Sequence, residues 1–83
     1  MSNYYELSLR YDARKSFYGK AHVEESNGRK TLISYSTAVA YIEDGVAHIN
    51  GTYSPTTLRH IKEFLHQNGF AVGSKKELIA WYM

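Results

Sequence analysis

The chain has 83 residues and a mass of 9.5 kDa, less than one average domain, which excludes an enzyme with separate cofactor and substrate domains. Hydrophobic residues at 43% and charged residues at 22% match a globular composition, so neither a disordered tail nor a membrane protein is expected. Ten Lys and Arg against eight Asp and Glu leave a formal charge of +2, too mild to mark a nucleic-acid or membrane binder.

A domain this short hides only about 60–65% of the surface its unfolded chain exposes. Without cysteine it has no disulfide to staple it. A homo-oligomer or a bound partner is the expected supplement. The opening Met-Ser-Asn-Tyr-Tyr-Glu lacks the basic start and apolar run of a signal peptide, and no stretch approaches the ~20 apolar residues of a membrane span. A reducing cytoplasm and no membrane partner are the corresponding expectations.

In chain order, residues 4–11 alternate, with Tyr5, Leu7, Leu9 and Tyr11 on one parity and Glu6, Ser8 and Arg10 on the other, which predicts a half-buried strand. Arg10, Arg14, Lys15 and Lys20, with Asp12 the lone acid, interleave with Tyr11, Phe17 and Tyr18 as a small basic-aromatic patch. A second strand is predicted over 17–26 and a third over 29–35, joined at Asn27-Gly28, a dipeptide suited to the positive φ values of a type I′ turn. That loop sets Ala21 opposite Ser34, His22 opposite Ile33 and Val23 opposite Leu32.

Asp44-Gly45 predicts a second hairpin of 39–43 with 46–50, pairing Tyr41 with His48 and Ile42 with Ala47. Ala40, Ile42, Ala47 and Ile49 then share the core face, with Val39, Tyr41 and His48 on the other. Strands three and four read either as two strands or as one long strand bulged at Ser36-Thr37. Beyond Gly51 the period becomes helical. Ser54 is an N-cap, Pro55 suits the first helical position, Leu58, Ile61, Phe64 and Leu65 recur on one side, and Asn68-Gly69 is a stop. Ser74 to Glu77 matches a capping box that predicts a second, short helix, with a strand over 78–82 as the other reading of that apolar run. The predicted fold is α+β: an antiparallel sheet of four or five strands packed by one long helix plus a short C-terminal helix, all one domain over 1–83. Its predicted core is Leu7, Leu9, Val23, Leu32, Ala40, Ile42, Ile49, Leu58, Ile61, Leu65 and Trp81.

No catalytic motif is present: the chain has no phosphate loop, no nucleophile turn and no carboxylates at useful spacing, so no enzyme is expected. His60 and His66, six positions apart on a helix, diverge by about 240°. No cofactor is expected, and the one exception left open is a structural zinc, for which His22 and His48 are the candidate ligands if the sheet brings them together. Arg59, Lys62 and His66 form a stripe opposite Leu58, Ile61 and Leu65. The plainer reading is a solvated face with an Arg59–Glu63 pair, and the functional one is a docking strip for a phosphate backbone or an acidic protein groove. Eight tyrosines cannot all be buried, because each hydroxyl needs a partner, so an uncovered sheet face displaying Tyr18, Tyr35 or Tyr41 is a candidate protein interface.

Residues 11–21, with Ser-Phe-Tyr-Gly-Lys-Ala at their centre, Ser34 to Thr37, residues 51–65 around Thr-Leu-Arg-His-Ile, and Gln67 to Phe70 together resemble a small domain of largely unknown function widespread in phages, prophages and plasmids of Gram-positive bacteria. The chain is similar also to small streptococcal prophage products, among them anti-CRISPR proteins that bind the type II RNA-guided nuclease. This resemblance implies a non-enzymatic inhibitor of a host defence protein, in the cytoplasm of a bacterial host, that blocks DNA loading or domain movement sterically. The alternative is a small nucleic-acid-binding accessory protein. Both readings use Arg14, Lys15, Tyr18, Lys20, Arg59, Lys62 and His66 as the expected binding residues.

Overall fold

The computed structural model describes residues 3–7, 20–51 and 54–83. It contains β1 (Asn3–Glu6), β2 (Ala21–Ser26), β3 (Arg29–Ser34), β4 (Thr37–Glu43), β5 (Val46–Ile49), α1 (Pro55–Gln67) and α2 (Lys75–Tyr82). The five strands form one antiparallel sheet in sequence order, so each strand pairs with the next. The α+β expectation holds, although α1 has thirteen residues and is short where a long helix was predicted. No helix among the described residues is long and apolar enough to cross a membrane.

The turns set this register. Asn27 and Gly28 have φ of 52° and 81°, and Asp44 and Gly45 have 53° and 74°, the paired positive values that both dipeptides predict. Ala21–Ser34, His22–Ile33 and Val23–Leu32 pair as expected, as do Tyr41–His48 and Ile42–Ala47. Of the two readings for strands three and four, the structure has the two separate strands, joined by a reversal at Tyr35-Ser36 where Tyr35 takes a φ of 59°. Few sequence signals mark such a turn, because a bulky residue seldom adopts positive φ.

A register shift between Leu32 and Ile33 places Leu32 opposite Ala40 and Ile33 opposite Ala38, which leaves Val39 as an extra residue. Val39 is therefore buried at 1% exposure beside buried Ala40, and not on the far face as strict alternation predicts. Its carbonyl still accepts a hydrogen bond, from the Asn50 amide at 2.9 Å. Strand β1 covers Asn3–Glu6, and Leu7 beyond it is buried with its amide donating to the Ala21 carbonyl at 2.8 Å. The predicted elements over residues 8–19, with Leu9 of the predicted core, lie outside the described residues.

Both helices pack on one side. Ile61, Phe64 and Leu65 of α1 and Leu78 of α2 join Val23, Leu32, Val39, Ala40, Ala47 and Ile49 in a single buried cluster, with Ile42 and Leu58 half-buried at its margin. Ser54 caps α1 by accepting from the Thr57 amide, and the helix ends in a Schellman motif. There the Phe70 amide reaches the Leu65 carbonyl, the Gly69 amide reaches that of His66, and Gly69 supplies a φ of 81°. The Ser74–Glu77 capping box forms, so residues 78–82 are helical and not a strand. Trp81 is 49% exposed, against its predicted core role. The two turns of α2 offer a limited inward surface, and Leu78 and Tyr82 take it. The Tyr82 ring lies edge-on to Phe70, and its hydroxyl donates to the Ala71 carbonyl at 2.8 Å.

The bulge has a measurable consequence. Val39→Ala is expected to cost on the order of 2 kcal/mol in urea denaturation, because it empties a buried site. Were Val39 on the outer face, the change would stay within about 0.5 kcal/mol.

Candidate functional site

Successive side chains of a strand point to opposite faces, so the register sorts the sheet into a helix-covered side and another side that no described element covers. One row of directly paired residues crosses all five strands on the uncovered side: Tyr4, Glu24, Thr31, Tyr41 and His48. Glu6, His22, Ile33 and Ala38 form a second row, and Ser26, Arg29, Glu43 and Val46 a third. Among the described residues of these three rows, three carboxylates, on Glu6, Glu24 and Glu43, thus share this face with one guanidinium, on Arg29.

Two stacked ring pairs stand on it. Tyr41 and His48 lie 4.9 Å apart, centroid to centroid, at 22°. Tyr4 and His22 lie 5.0 Å apart at 16°. Arg29 spreads over the Tyr41 ring at 4.3 Å, and its Nε and Nη2 donate to the two carboxylate oxygens of Glu43 at 3.2 and 3.1 Å. The fork of donors holds the Glu43 carboxyl below its ordinary value of 4.5, with the guanidinium charge adding to it, and the Arg29 value is raised in return. Both side chains are exposed, so the pair positions Arg29 on the ring more than it stabilises the fold. The Nδ1 of His22 is shielded from water and has no hydrogen-bond partner among the described residues, so stacking is the contact that places this ring.

A different cluster joins α1 to β3. The Ser34 hydroxyl lies 2.8 Å from His60 Nδ1 and 3.1 Å from the Thr57 hydroxyl, which also receives the Ser54 hydroxyl at 3.4 Å. A Ser–His contact of this length is what a nucleophile and its base require. Here Ser34 and His60 are 2% and 1% exposed, leaving no path for a substrate. Their role is to satisfy one another beneath the helix. His60, which sequence alone leaves without a structural reason, thereby acquires one. The Tyr35 ring lies 6.0 Å from that of His60, and the Lys20 ammonium lies 5.6 Å from the Tyr35 ring.

Of the expected binding residues, Arg59 and His66 are exposed and Lys62 is half-buried along the outer side of α1, so the predicted stripe exists, on the opposite side of the domain from the stacked rings. The predicted Arg59–Glu63 pair gives way to a fully buried Glu63 whose carboxylate accepts from Gln67 at 2.7 Å. Lys20 is exposed beside Tyr35. Arg14, Lys15 and Tyr18 lie outside the described residues. His22 on β2 and His48 on β5 are three strand spacings apart, about 14 Å, so the sheet does not bring the two zinc candidates together. Among the described residues no group of three or more His, Asp or Glu is placed to hold a metal ion. A shallow groove of about 220 Å³ at the Asn27-Gly28 hairpin, lined by Asn3, Glu25 and Lys30 among others, is smaller than the usual ligand pocket. Tyr41 was legible as a surface tyrosine. Tyr4 and Arg29 were not, because only the register reveals that they share its face.

The chain belongs to a family of unknown function, DUF8033, whose model matches residues 5–80. No curated protein and no solved structure matches it.

Two outcomes test this geometry. The Glu43 carboxyl, followed by NMR, should titrate below 4.5 and return towards that value in Arg29→Ala. Because its folded-state value is depressed, its contribution to stability is complete above pH 4.5 and fades as pH falls through the folded value. Ser34→Ala should cost about 1–3 kcal/mol in urea denaturation by removing a hydrogen-bond partner of both Thr57 and His60.

Proposed function

We propose that this chain is a non-enzymatic binding protein that engages another protein through the uncovered face of its sheet. The observation that carries this reading is the pair of stacked Tyr–His platforms on the uncovered face, each with one exposed ring, Tyr4 at 59% and His48. Tyrosine anchors protein interfaces well, since it offers large area with little side-chain entropy to lose. Among the described residues, three carboxylates against one guanidinium in these rows disfavour a phosphate backbone. Inhibition of a host defence protein, with the type II RNA-guided nuclease the first to try, is the function the resemblance implies for such a binder. The alternative, a nucleic-acid-binding accessory protein, draws on the Arg59, Lys62 and His66 stripe along the outer side of α1.

Binding of the purified nuclease, measured by calorimetry, separates the readings. Thr31→Arg, in the middle of the face, and Tyr4→Ala, at its edge, should each weaken binding about tenfold or more with an unchanged circular dichroism spectrum. Arg59→Glu with Lys62→Glu should leave it intact. The reverse pattern, or affinity for bare DNA or RNA that falls steeply with salt, would favour the stripe. Absence of nuclease binding would remove that target.

A further inference from the structure

The uncovered face holds two similar groupings of a stacked Tyr–His pair and a carboxylate, with Tyr41 and His48 directly paired and Tyr4 and His22 diagonal, and among the described residues only the first is filled from within. On β4, Tyr41 and Glu43 are two positions apart and so share a face. Tyr41 is stacked on His48, and the Arg29 guanidinium lies 4.3 Å over its ring while forking to the Glu43 carboxylate. On β2, His22 and Glu24 have the same spacing on the same face, and His22 is stacked on Tyr4 at nearly the same separation and tilt. Glu24 is exposed, directly paired with Tyr4 on one side and Thr31 on the other, and no cation among the described residues lies in ion-pair contact with it. Arg29, its diagonal neighbour across β2 and β3, is turned to Glu43 instead. Glu6, opposite His22, has interactions of its own.

We infer that Tyr4, His22 and Glu24 form a docking site for the guanidinium of an arginine on a partner protein, in the manner in which Tyr41 and Glu43 already hold Arg29. The inference rests on the reading of this face as protein-binding, and adds the chemistry of what it binds. A guanidinium is planar and weakly hydrated, so it can stack on a ring while its edge donates two hydrogen bonds to a carboxylate. An ammonium offers a compact, strongly hydrated charge and cannot do both as well. The face supplies the complementary sign, and Tyr4 supplies the exposed ring.

The test uses the full chain, labelled with ¹⁵N and titrated with acetyl-Gly-Arg-Gly-amide, its lysine counterpart and its neutral citrulline counterpart. Saturable shifts should centre on the amides of Tyr4, His22 and Glu24, and affinity should drop about three- to fivefold for citrulline and less for lysine. Tyr4→Phe, which keeps the ring, should bind as the parent does, whereas Tyr4→Ala and Glu24→Gln should each weaken binding about three- to fivefold. Equal affinity for arginine and citrulline, shifts centred on Glu43 and Asp44, or indifference to Glu24→Gln in a spectrum otherwise unchanged would each overturn the inference. With a protein partner in hand the two levels separate. Binding abolished by Thr31→Arg and untouched by Glu24→Gln overturns the arginine site and keeps the face, while binding untouched by both overturns both.

Discussion

A sheet of five strands has two faces of equal area, and the described residues hold helix enough for one. That constraint organises the rest of the molecule. The apolar residues of β2 to β5 that point to the covered side meet Ile61, Phe64, Leu65 and Leu78, and the polar demands of the same contact are met locally, by Ser34 and Thr57 with His60. On the other side, side chains must tolerate water while still shielding the ladder beneath them. Stacked rings, a guanidinium laid on a ring and a half-buried threonine meet both conditions. Burial and display are thus two results of one alternating pattern.

The turns decide which residue falls on which side. A slip of one position would exchange the two faces of a strand entirely, and two-residue turns of fixed geometry prevent it. Two of the three hairpins use Asn-Gly and Asp-Gly, the dipeptides that take paired positive φ at least cost. The third, at Tyr35, uses a residue for which that conformation is unfavourable, and surrounds it with contacts: its amide donates to the Lys20 carbonyl at 2.7 Å, and its ring lies 5.6 Å from the Lys20 ammonium and 6.0 Å from the His60 ring. Contacts from two distant parts of the chain hold a backbone geometry that local preference would not choose.

That division explains what the sequence disclosed. Hairpins at residues 27–28 and 44–45, both helix starts and the Gly69 stop were legible because each follows from short-range chemistry: turn dipeptides, caps and a glycine able to adopt positive φ. The Tyr35 reversal and the burial of Val39 were not, since a bulge is set by how β3 and β4 fit together and leaves no local mark. Trp81 was misplaced for a related reason: its size suggests the core, but the geometry of α2 gives the inward position to Leu78. The candidate face was half visible. Tyr41 and His48 share a predicted pair, whereas the place of Tyr4 depends on the pairing of β1 with β2, which no tight turn announces.

The bulge at Val39 also bears on the shape of anything that lies against the far side. Adjacent strands in a sheet rotate by roughly 20–25°, and a bulge sharpens that rotation where it occurs. From β2 to β4 the strand directions therefore turn by at least about 40–50°, so the His22 and Tyr41 platforms face along different lines. A flat, rigid slab can rest on one of them and must lift from the other. A surface that touches both has to be saddle-shaped, or else a pliable segment draped across the strands, following the twist as it goes.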